Sequence, residues 1–455
     1  MLPQGHARLF FPTGTGMNPR PTIRGRLCGA VLGAGWYGLS SLLAPVLRIN
    51  LRRRLAHGKE TPASLPQRRG LANRPRPPGL LAWLHAASVG ETVALLPVVE
   101  HLLDADPTLH VLVTTGTVTG SAILHDRLPA LAGQDRVITQ FAPLDVPRWS
   151  ARFLDYWHPD VGALVESELW PNLIAACHAR HMPLALLNGR MSDRSLTSWR
   201  GAACLLARML STFAWVMARS AEDAARLQHG GATRIDLIAD LKDAAPPLPH
   251  DPAALAELRT CLAGRPVWVA ASTHPGEDAT IIAASALVRQ AMPDVLTILI
   301  PRHPERGTDI AALASPHAPR RALGQTPVAQ DGLWICDTLG EMGLFFALGA
   351  PVLMGNSLSG GTGGTGGGHN PLEPARAGCP VASGPRIGNF RQAYARMEDS
   401  VQFVETPPDI AQWLIPLLQS PEACHKAGAH ARRHALPDSA LAQNIAHALL
   451  ALGPR

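Results

Sequence analysis

The residues with the most chemical promise are carboxylates and amides set at the ends of apolar runs. In "HAASVGE" Glu91 follows one such run and opens an amphipathic stretch; in "VESELWPN" Glu166 and Glu168 close a second; in "NGRMSDRS" Asn188 and Arg190 close a third. A positioned carboxylate can take the proton of an alcohol as that alcohol attacks an electrophile. A glutamate in the first turn of a helix more often serves the helix dipole, and the Ser/Glu and Asn/Arg sets also read as ordinary caps and surface salt bridges. Their shared position on one rim is what favours chemistry. Further along, "ASTHPGE", "PRHPER" and "DTLGE" occupy corresponding turns.

The stretch "MGNSLSGGTGGTGGGHNPLEPARAGCPV", Met354 to Val381, has seven glycines between Gly360 and Gly368. Such runs are usually flexible spacers. This one lies between the apolar run "APVLMG" and "NPLEPARAG", which reads as a short helix with Pro371 near its start and Gly378 after its end. A helix start preceded by glycines offers free N–H groups to an anion, and Glu373 is placed to accept hydrogen bonds from a ribose diol. The spacer reading survives only for the tip, "GGTGGTGG". Metal chemistry has thin support. "DAD" at Asp104 to Asp106 reads as a solvated turn, and no carboxylate or third ligand at metal-site spacing accompanies His430 and His434.

Short apolar runs alternate with amphipathic stretches from Leu80 onward: "LLAWLHA", "LHVLVTTGT", "DVGALVE" and "PLALLNGR", then, after the Pro-rich "DAAPPLPHDPAAL" that begins at Asp243, "PVWVAAST", "LTILIPR", "GLWICDT", "APVLMG" and "CPVASG". Strand, loop and helix in repetition predict two α/β halves, each a parallel sheet with helices on both faces, joined by a linker. Ligands of such sheets bind beyond the carboxyl ends of the strands, where the polar motifs fall.

A length of 455 residues, 46% hydrophobic and 17% charged, fits a folded chain of two domains. The formal charge of +6 is concentrated early, in Arg20, Arg24, Arg26, Arg48, Arg52, Arg53 and Arg54. Those arginines flank "LCGAVLGAGWYGLSSLLAPVL", an uncharged run of about the length that spans a bilayer; a buried or interfacial helix is the alternative. A basic flank after an apolar run predicts an anchor in the inner (cytoplasmic) membrane with the remaining domains facing the cytoplasm. No basic stripe interleaved with aromatics points to nucleic acid, and no protein partner is legible. Seven scattered cysteines without a CxxC pair predict reduced thiols rather than a disulfide framework.

Taken together, "WLHAASVGE", "ESELWPN", "NGRMSDRS", "ASTHPGE", "PRHPER", "DTLGE" and "GGHNPLEPARAGCPV" resemble, in order from Leu81 to Phe390, the 3-deoxy-D-manno-octulosonic acid (Kdo) transferases of lipopolysaccharide synthesis. The resemblance implies an α/β GT-B glycosyltransferase of two Rossmann-like domains with the active site in the cleft between them, behind an N-terminal membrane-anchor helix. It implies residues 1–50 as basic segment and anchor, 51–245 as the domain for the acceptor (lipid A precursor, lipid IV-A) and 246–455 as the domain for the donor CMP-Kdo. Transfer would invert the anomeric centre without a metal or other cofactor. Glu91 resembles the family's general base, and Glu168 with Lys242 the pair that stabilises the transition state. Ser272, Arg302, His303, Leu339, Gly340, Glu341, Asn370, Pro371, Leu372 and Glu373 resemble nucleotide-sugar positions; Ser88, Gly90, Asn188 and Arg190 resemble acceptor positions. Two departures stand out: Ala239-Asp240 replaces the family's usual Gly-Asn before Leu-Lys, and the glycine run is longer than usual. The competing readings are another nucleotide-sugar transferase or epimerase of the same architecture, a dehydrogenase, which would need a GxGxxG after the first strand, and a non-catalytic membrane scaffold.

Overall fold

The computed structural model describes residues 23–314, 318–358 and 367–453. Arg20 and most of the glycine-rich tip lie outside them. The chain forms two compact units, Met1–Ala245 with Asp438–Arg455, and Pro246–Pro437.

Unit 1 is built on seven parallel strands: β1 (Leu81–Ala86), β2 (His110–Thr115), β3 (Val137–Phe141), β4 (Val161–Val165), β5 (Leu184–Gly189), β6 (Trp215–Ala218) and β7 (Leu237–Ile238), in the order β3-β2-β1-β4-β5-β6-β7. The central strands are covered on both faces. Every residue of β1, β4 and β5 is buried, which is why they read as unbroken apolar runs. Unit 2 repeats the plan with β8 (Val267–Thr273), β9 (Leu296–Pro301), β10 (Leu333–Ile335), β11 (Val352–Met354), β12 (Val381–Ser383) and β13 (Val401–Phe403), in the order β10-β9-β8-β11-β12-β13. In each sheet the strand order reverses beside the first strand, between β1 and β4 and between β8 and β11. The crevice of a doubly wound sheet opens at such a reversal.

Three expectations need correction. The chain's last helix, Ser439–Leu452, leaves the second half: Leu441, Ile445 and Leu449 bury against Leu95, Val99 and Leu102 of the helix Val89–Ala105. The boundary at 455 therefore moves to Pro437, because an apolar stripe needs a partner face and finds it in unit 1. The Pro-rich linker also ends sooner than expected, since Asp251 caps a helix over Pro252–Leu262.

The cysteine expectation fails at one pair. Cys28 and Cys204, 176 residues apart, are joined as a disulfide with their Cα atoms 5.9 Å apart. Gly29 permits the approach: a Cβ there would lie 2.6 Å from the Cys204 carbonyl oxygen. No local spacing of cysteines could signal a pairing made by two helices in contact.

The apolar N-terminal run is two helices, α1 (Ile23–Leu42) and α2 (Ala44–Ala56), bent by 56° where they meet. No single helix among the described residues is long and apolar enough to cross a membrane. One side of α1 is tied to unit 1: Trp36 Nε1 donates to Asp145 at 2.8 Å, and Asn172 Nδ2 donates to Ser40 Oγ at 3.0 Å. The other side leaves Leu27, Val31, Leu39 and Leu42 exposed, and α2 continues it with Val46 and Ile49.

Candidate functional site

In unit 1 the loop after β1 turns directly into the helix Val89–Ala105, with Ser88 as its N-cap. Glu91 closes that cap in return. The Ala87 N–H donates to Glu91 Oε2 at 2.8 Å and the Ser88 hydroxyl donates to Oε1 at 2.7 Å. This reciprocal arrangement holds the carboxylate in one orientation. Glu91 is only 9% exposed, whereas Ser88 and Gly90 are exposed. A Cβ on Gly90 would meet nothing within 4 Å, so the space beside the cap is open.

The strands next to β1 deliver the other groups. Glu166 follows β4 with a left-handed φ of 59°, and Asn188 at the end of β5 has φ 54°. Such backbone in non-glycine residues is a cost concentrated at functional sites. Burial pushes the Glu166 carboxyl up; the charge of Glu91 adds to the shift, and Lys242, Arg190 and Arg219 offset part of it. Glu168 differs. Burial alone would raise its carboxyl, but hydrogen bonds from His85 Nε2 (3.3 Å) and Trp170 Nε1 (2.6 Å) more than offset this, leaving it below the usual carboxylate range. Asn188 is buried and its Oδ1 accepts from the Leu241 N–H at 3.0 Å. That bond fixes the turn Leu241–Ala244, which carries Lys242, and Asp240 caps the same turn by accepting from the Lys242 N–H at 3.0 Å. The departure at Asp240 therefore keeps a capping function. Arg190 is exposed, with its carbonyl bonded to the Ser167 hydroxyl at 2.7 Å.

In unit 2 the organising group is one that the sequence reading did not single out. Glu277 is fully buried, and its carboxylate accepts four backbone N–H groups: His274 at 2.9 Å, Asn356 at 2.7 Å, Ser357 at 2.8 Å and Leu358 at 2.9 Å. It fastens the turn after β8 to the start of the glycine stretch. The far end of that stretch is fastened too, since the Asn356 carbonyl accepts from Gly367 and Gly368 at 3.1 and 2.8 Å. Both described ends of the stretch are thus held by backbone hydrogen bonds.

Around this junction gather Ser272 (φ 58°), the exposed Arg302, and three histidines. His274 Nε2 and His369 Nε2 are 3.1 Å apart, and the His274 and His303 rings meet edge to face at 5.9 Å. Burial first, then the neighbouring His274, Arg302 and His303, lower His369 to about 4. Asn370 Oδ1 accepts from the Leu372 N–H at 3.2 Å, just ahead of the short helix Leu372–Arg376, which has Pro371 before it and Glu373 in its first turn. Glu341 is clamped by Arg321 through two bonds of 2.7 and 2.6 Å, which hold its carboxyl below the usual range. It lines an open hollow with Pro304, Gln325, Thr338 and Leu339; Leu339 is 76% exposed and Gly340 has φ 84°.

His430 and His434 do have a carboxylate beside them: Asp399 Oδ1 lies 3.0 Å from His430 Nε2, brought there by a neighbouring turn. His430 Nε2 bonds Asp399 and its Nδ1 accepts from Arg433 at 3.0 Å, so both ring nitrogens are already engaged. Asp106, in the "DAD" turn, accepts from the Thr108 N–H and hydroxyl at 2.8 and 2.7 Å.

A family model described as 3-Deoxy-D-manno-octulosonic-acid transferase matches residues 63–245. The chain is 35% identical to a 3-deoxy-D-manno-octulosonic acid transferase of Bordetella pertussis, over 92% of this chain and 96% of that protein. It is 33% identical to a probable mitochondrial 3-deoxy-D-manno-octulosonic acid transferase of Arabidopsis thaliana, over 85% of this chain and 87% of the relative. Among solved structures, a UDP-GlcNAc 2-epimerase from Neisseria meningitidis bound to UDP-GlcNAc superposes with TM-score 0.55 at 13% identity, covering 82% of this chain and all of that one. That likeness bears on fold alone and places the two parallel-sheet units in the GT-B-like class.

Proposed function

The chain belongs to the 3-deoxy-D-manno-octulosonic acid transferase family, and from that premise we propose how its residues carry out the transfer of Kdo from CMP-Kdo to the lipid A precursor. It is a glycosyltransferase of lipopolysaccharide synthesis. The observation that carries this reading is similarity over nearly the whole chain, 35% identity across 92% of it, with the polar motifs of unit 1 on the loops after adjacent strands at the sheet's reversal point.

Glu91 is the general base. Oriented by Ala87 and Ser88, it takes the acceptor hydroxyl's proton as the oxygen attacks the anomeric carbon. The bond from that carbon to the phosphate oxygen breaks, CMP departs with the electron pair, and attack from the opposite side inverts the centre. Lys242 and Glu168 supply the charges that stabilise the transition state. Ser88, Gly90, Asn188 and Arg190 form the acceptor side, with Asn188 acting through the turn that carries Lys242. In unit 2, Ser272, Arg302, His303, Leu339–Glu341 and Asn370–Glu373 hold the nucleotide sugar. CMP leaves as a phosphate monoester, already stable as an anion. Fixed cations therefore suffice, and transfer needs no divalent metal.

The chain sits on the cytoplasmic face of the inner membrane. The outward apolar row of α1 and α2, beside the exposed Arg48, Arg52 and Arg53, supports helices lying in the headgroup region of an anionic leaflet. Incubating the purified protein with lipid A precursor and CMP-Kdo, then weighing the products by mass spectrometry, tests the function. A mass gain of one or more Kdo units is expected; an unchanged acceptor overturns it.

A further inference from the structure

An open groove of about 600 Å³ runs between α1 and the helices Pro147–Trp157, Pro171–Ala179 and Ala203–Leu210. That is the size of a small-ligand site, and the transfer reaction makes no use of it. Ala34, Ile174, Ala175, Leu205 and Met209 line its walls. Its interior is roomy: a Cβ on Gly33 would meet only Leu205 Cδ1, at 3.8 Å. Tyr37, 59% exposed, belongs both to the groove and to the outward apolar face of α1, so the two surfaces are continuous.

The two ends of the groove differ. The strands are parallel, so the helix Pro171–Ala179 starts at their carboxyl edge, after β4, and finishes at their amino edge, before β5. The helix Ala203–Leu210 also finishes at the amino edge, before β6. His178, Arg180, Arg208 and Thr212 line the groove there. Arg180 is engaged by Asp155 through bonds of 2.9 and 2.6 Å. Arg208 is exposed, and among the described residues its guanidinium has no hydrogen-bond or ion-pair partner. A free guanidinium at the end of an apolar groove suits a phosphate carried on an acyl chain. The helix Pro171–Ala179 has nine residues and spans about 13 Å. A head group on Arg208 therefore lies about that far from the carboxyl edge, where the acceptor hydroxyl must meet Glu91.

We propose that this groove binds one anionic phospholipid of the bilayer, with an acyl chain between α1 and the rest of unit 1 and its phosphate on Arg208. The site is separate from the acceptor's, and the proposal goes beyond the transfer reaction. Burial of the chain supplies the attraction, and Arg208 selects for negative charge. The bound lipid fastens α1 to the leaflet against which its apolar row lies.

Native mass spectrometry of the full-length protein, titrated with dioctanoyl phosphatidylglycerol below its micelle concentration, counts the bound lipid. A single saturable adduct is expected. Dioctanoyl phosphatidylcholine and inorganic phosphate should each bind more weakly, the first lacking the net charge and the second the chain. Arg208→Glu should weaken the adduct by about tenfold or more, the loss of a charge-assisted hydrogen bond, whereas Arg148→Glu, at the groove's other end, should change it little. Ala179→Trp fills the groove from an exposed position and should block binding with the unfolding midpoint and transfer rate kept. Leu39→Glu with Leu42→Glu should leave the adduct intact, which separates the groove from the bilayer surface. No saturable adduct, or one that survives both Arg208→Glu and Ala179→Trp, overturns the proposal. Inorganic phosphate binding as tightly as the lipid also overturns it, since no chain would then be held. So does a raised KM for lipid A precursor in the Arg208→Glu and Ala179→Trp proteins, which would give the groove to the acceptor.

Discussion

The Ser357 N–H donates to the carboxylate of Glu277 across 80 residues of chain, at 2.8 Å, and three further backbone N–H groups converge on the same two oxygens. A buried carboxylate that accepts four N–H groups is a hub, because losing it orphans donors that water cannot reach. Glu277→Gln brings an NH₂ group against those donors. We expect a loss of about 2–4 kcal/mol in stability, with CMP affinity reduced because the stem of the glycine loop is released. Denaturant unfolding and calorimetry with CMP check both; a variant as stable as wild type would show that the hub is dispensable.

Arg302 is exposed, and its guanidinium is among the charges that act on His274 and His369. Arg302→Ala should weaken CMP binding by about 1.5–3 kcal/mol, the range for a charge-assisted hydrogen bond. Unchanged CMP affinity in calorimetry would take Arg302 out of the donor site. In the same assay, excess chelator should leave the transfer rate intact; a strict divalent-ion requirement would end the metal-free mechanism.

How much of this was legible beforehand depends on what each feature is made of. β1, β4, β5, β8 and β9 announce themselves because burial on both faces demands continuous apolar residues. β3, with its polar Thr139 and Gln140, and the two- and three-residue edge strands β7 and β13 carry no such signal. Glu91 was legible because its cap is local, three residues long. Glu277 and the His274–His369 contact were not, since their partners lie 80 and 95 residues away and meet only when β8 and β11 pair. The "THPGE" and "GGHNP" motifs held the right residues, but not the fact that they touch.

His369 supplies a pH prediction. Its folded pKa is depressed from 6.5 to about 4, chiefly by burial. The unfolded chain therefore binds this proton first as pH falls, and the protein loses stability from about 6.5 downward until the native imidazole also protonates near 4. His369→Gln should flatten that loss. Urea unfolding at pH 7 and pH 5 on both proteins measures it; identical pH slopes would mean that His369 does not contribute.

The exposed row on α1 and α2 gives a binding prediction. Leu39→Glu with Leu42→Glu should abolish co-sedimentation with vesicles containing anionic lipid, and raised salt should weaken the wild type's binding by screening Arg48, Arg52 and Arg53. Because both leucines are exposed, folding should be unaffected, with Leu42 79% open to solvent. Binding that survives both the substitutions and salt would place the membrane contact elsewhere.

The strongest single test of the enzymatic reading is Glu91→Gln. The substitution keeps the shape of the side chain but removes the oxygen that accepts the acceptor's proton. Ala87 N–H and Ser88 Oγ–H now donate to the two carboxylate oxygens; the amide can satisfy only one of them well, so a stability cost on the order of 1 kcal/mol is expected whatever the residue does in catalysis. Chemistry adds a far larger effect. Loss of a general base should lower single-turnover rate by about 10²–10⁴-fold. CMP affinity should stay near wild type, because Arg302 and the other donor positions lie in unit 2. A cap without catalytic duty predicts the reverse pattern: the same small loss of stability, with turnover per folded molecule unchanged. Thermal unfolding, CMP calorimetry and single-turnover rate measured on one preparation therefore separate the two, and a well-folded Glu91→Gln protein that transfers at the wild-type rate would remove Glu91 from the mechanism.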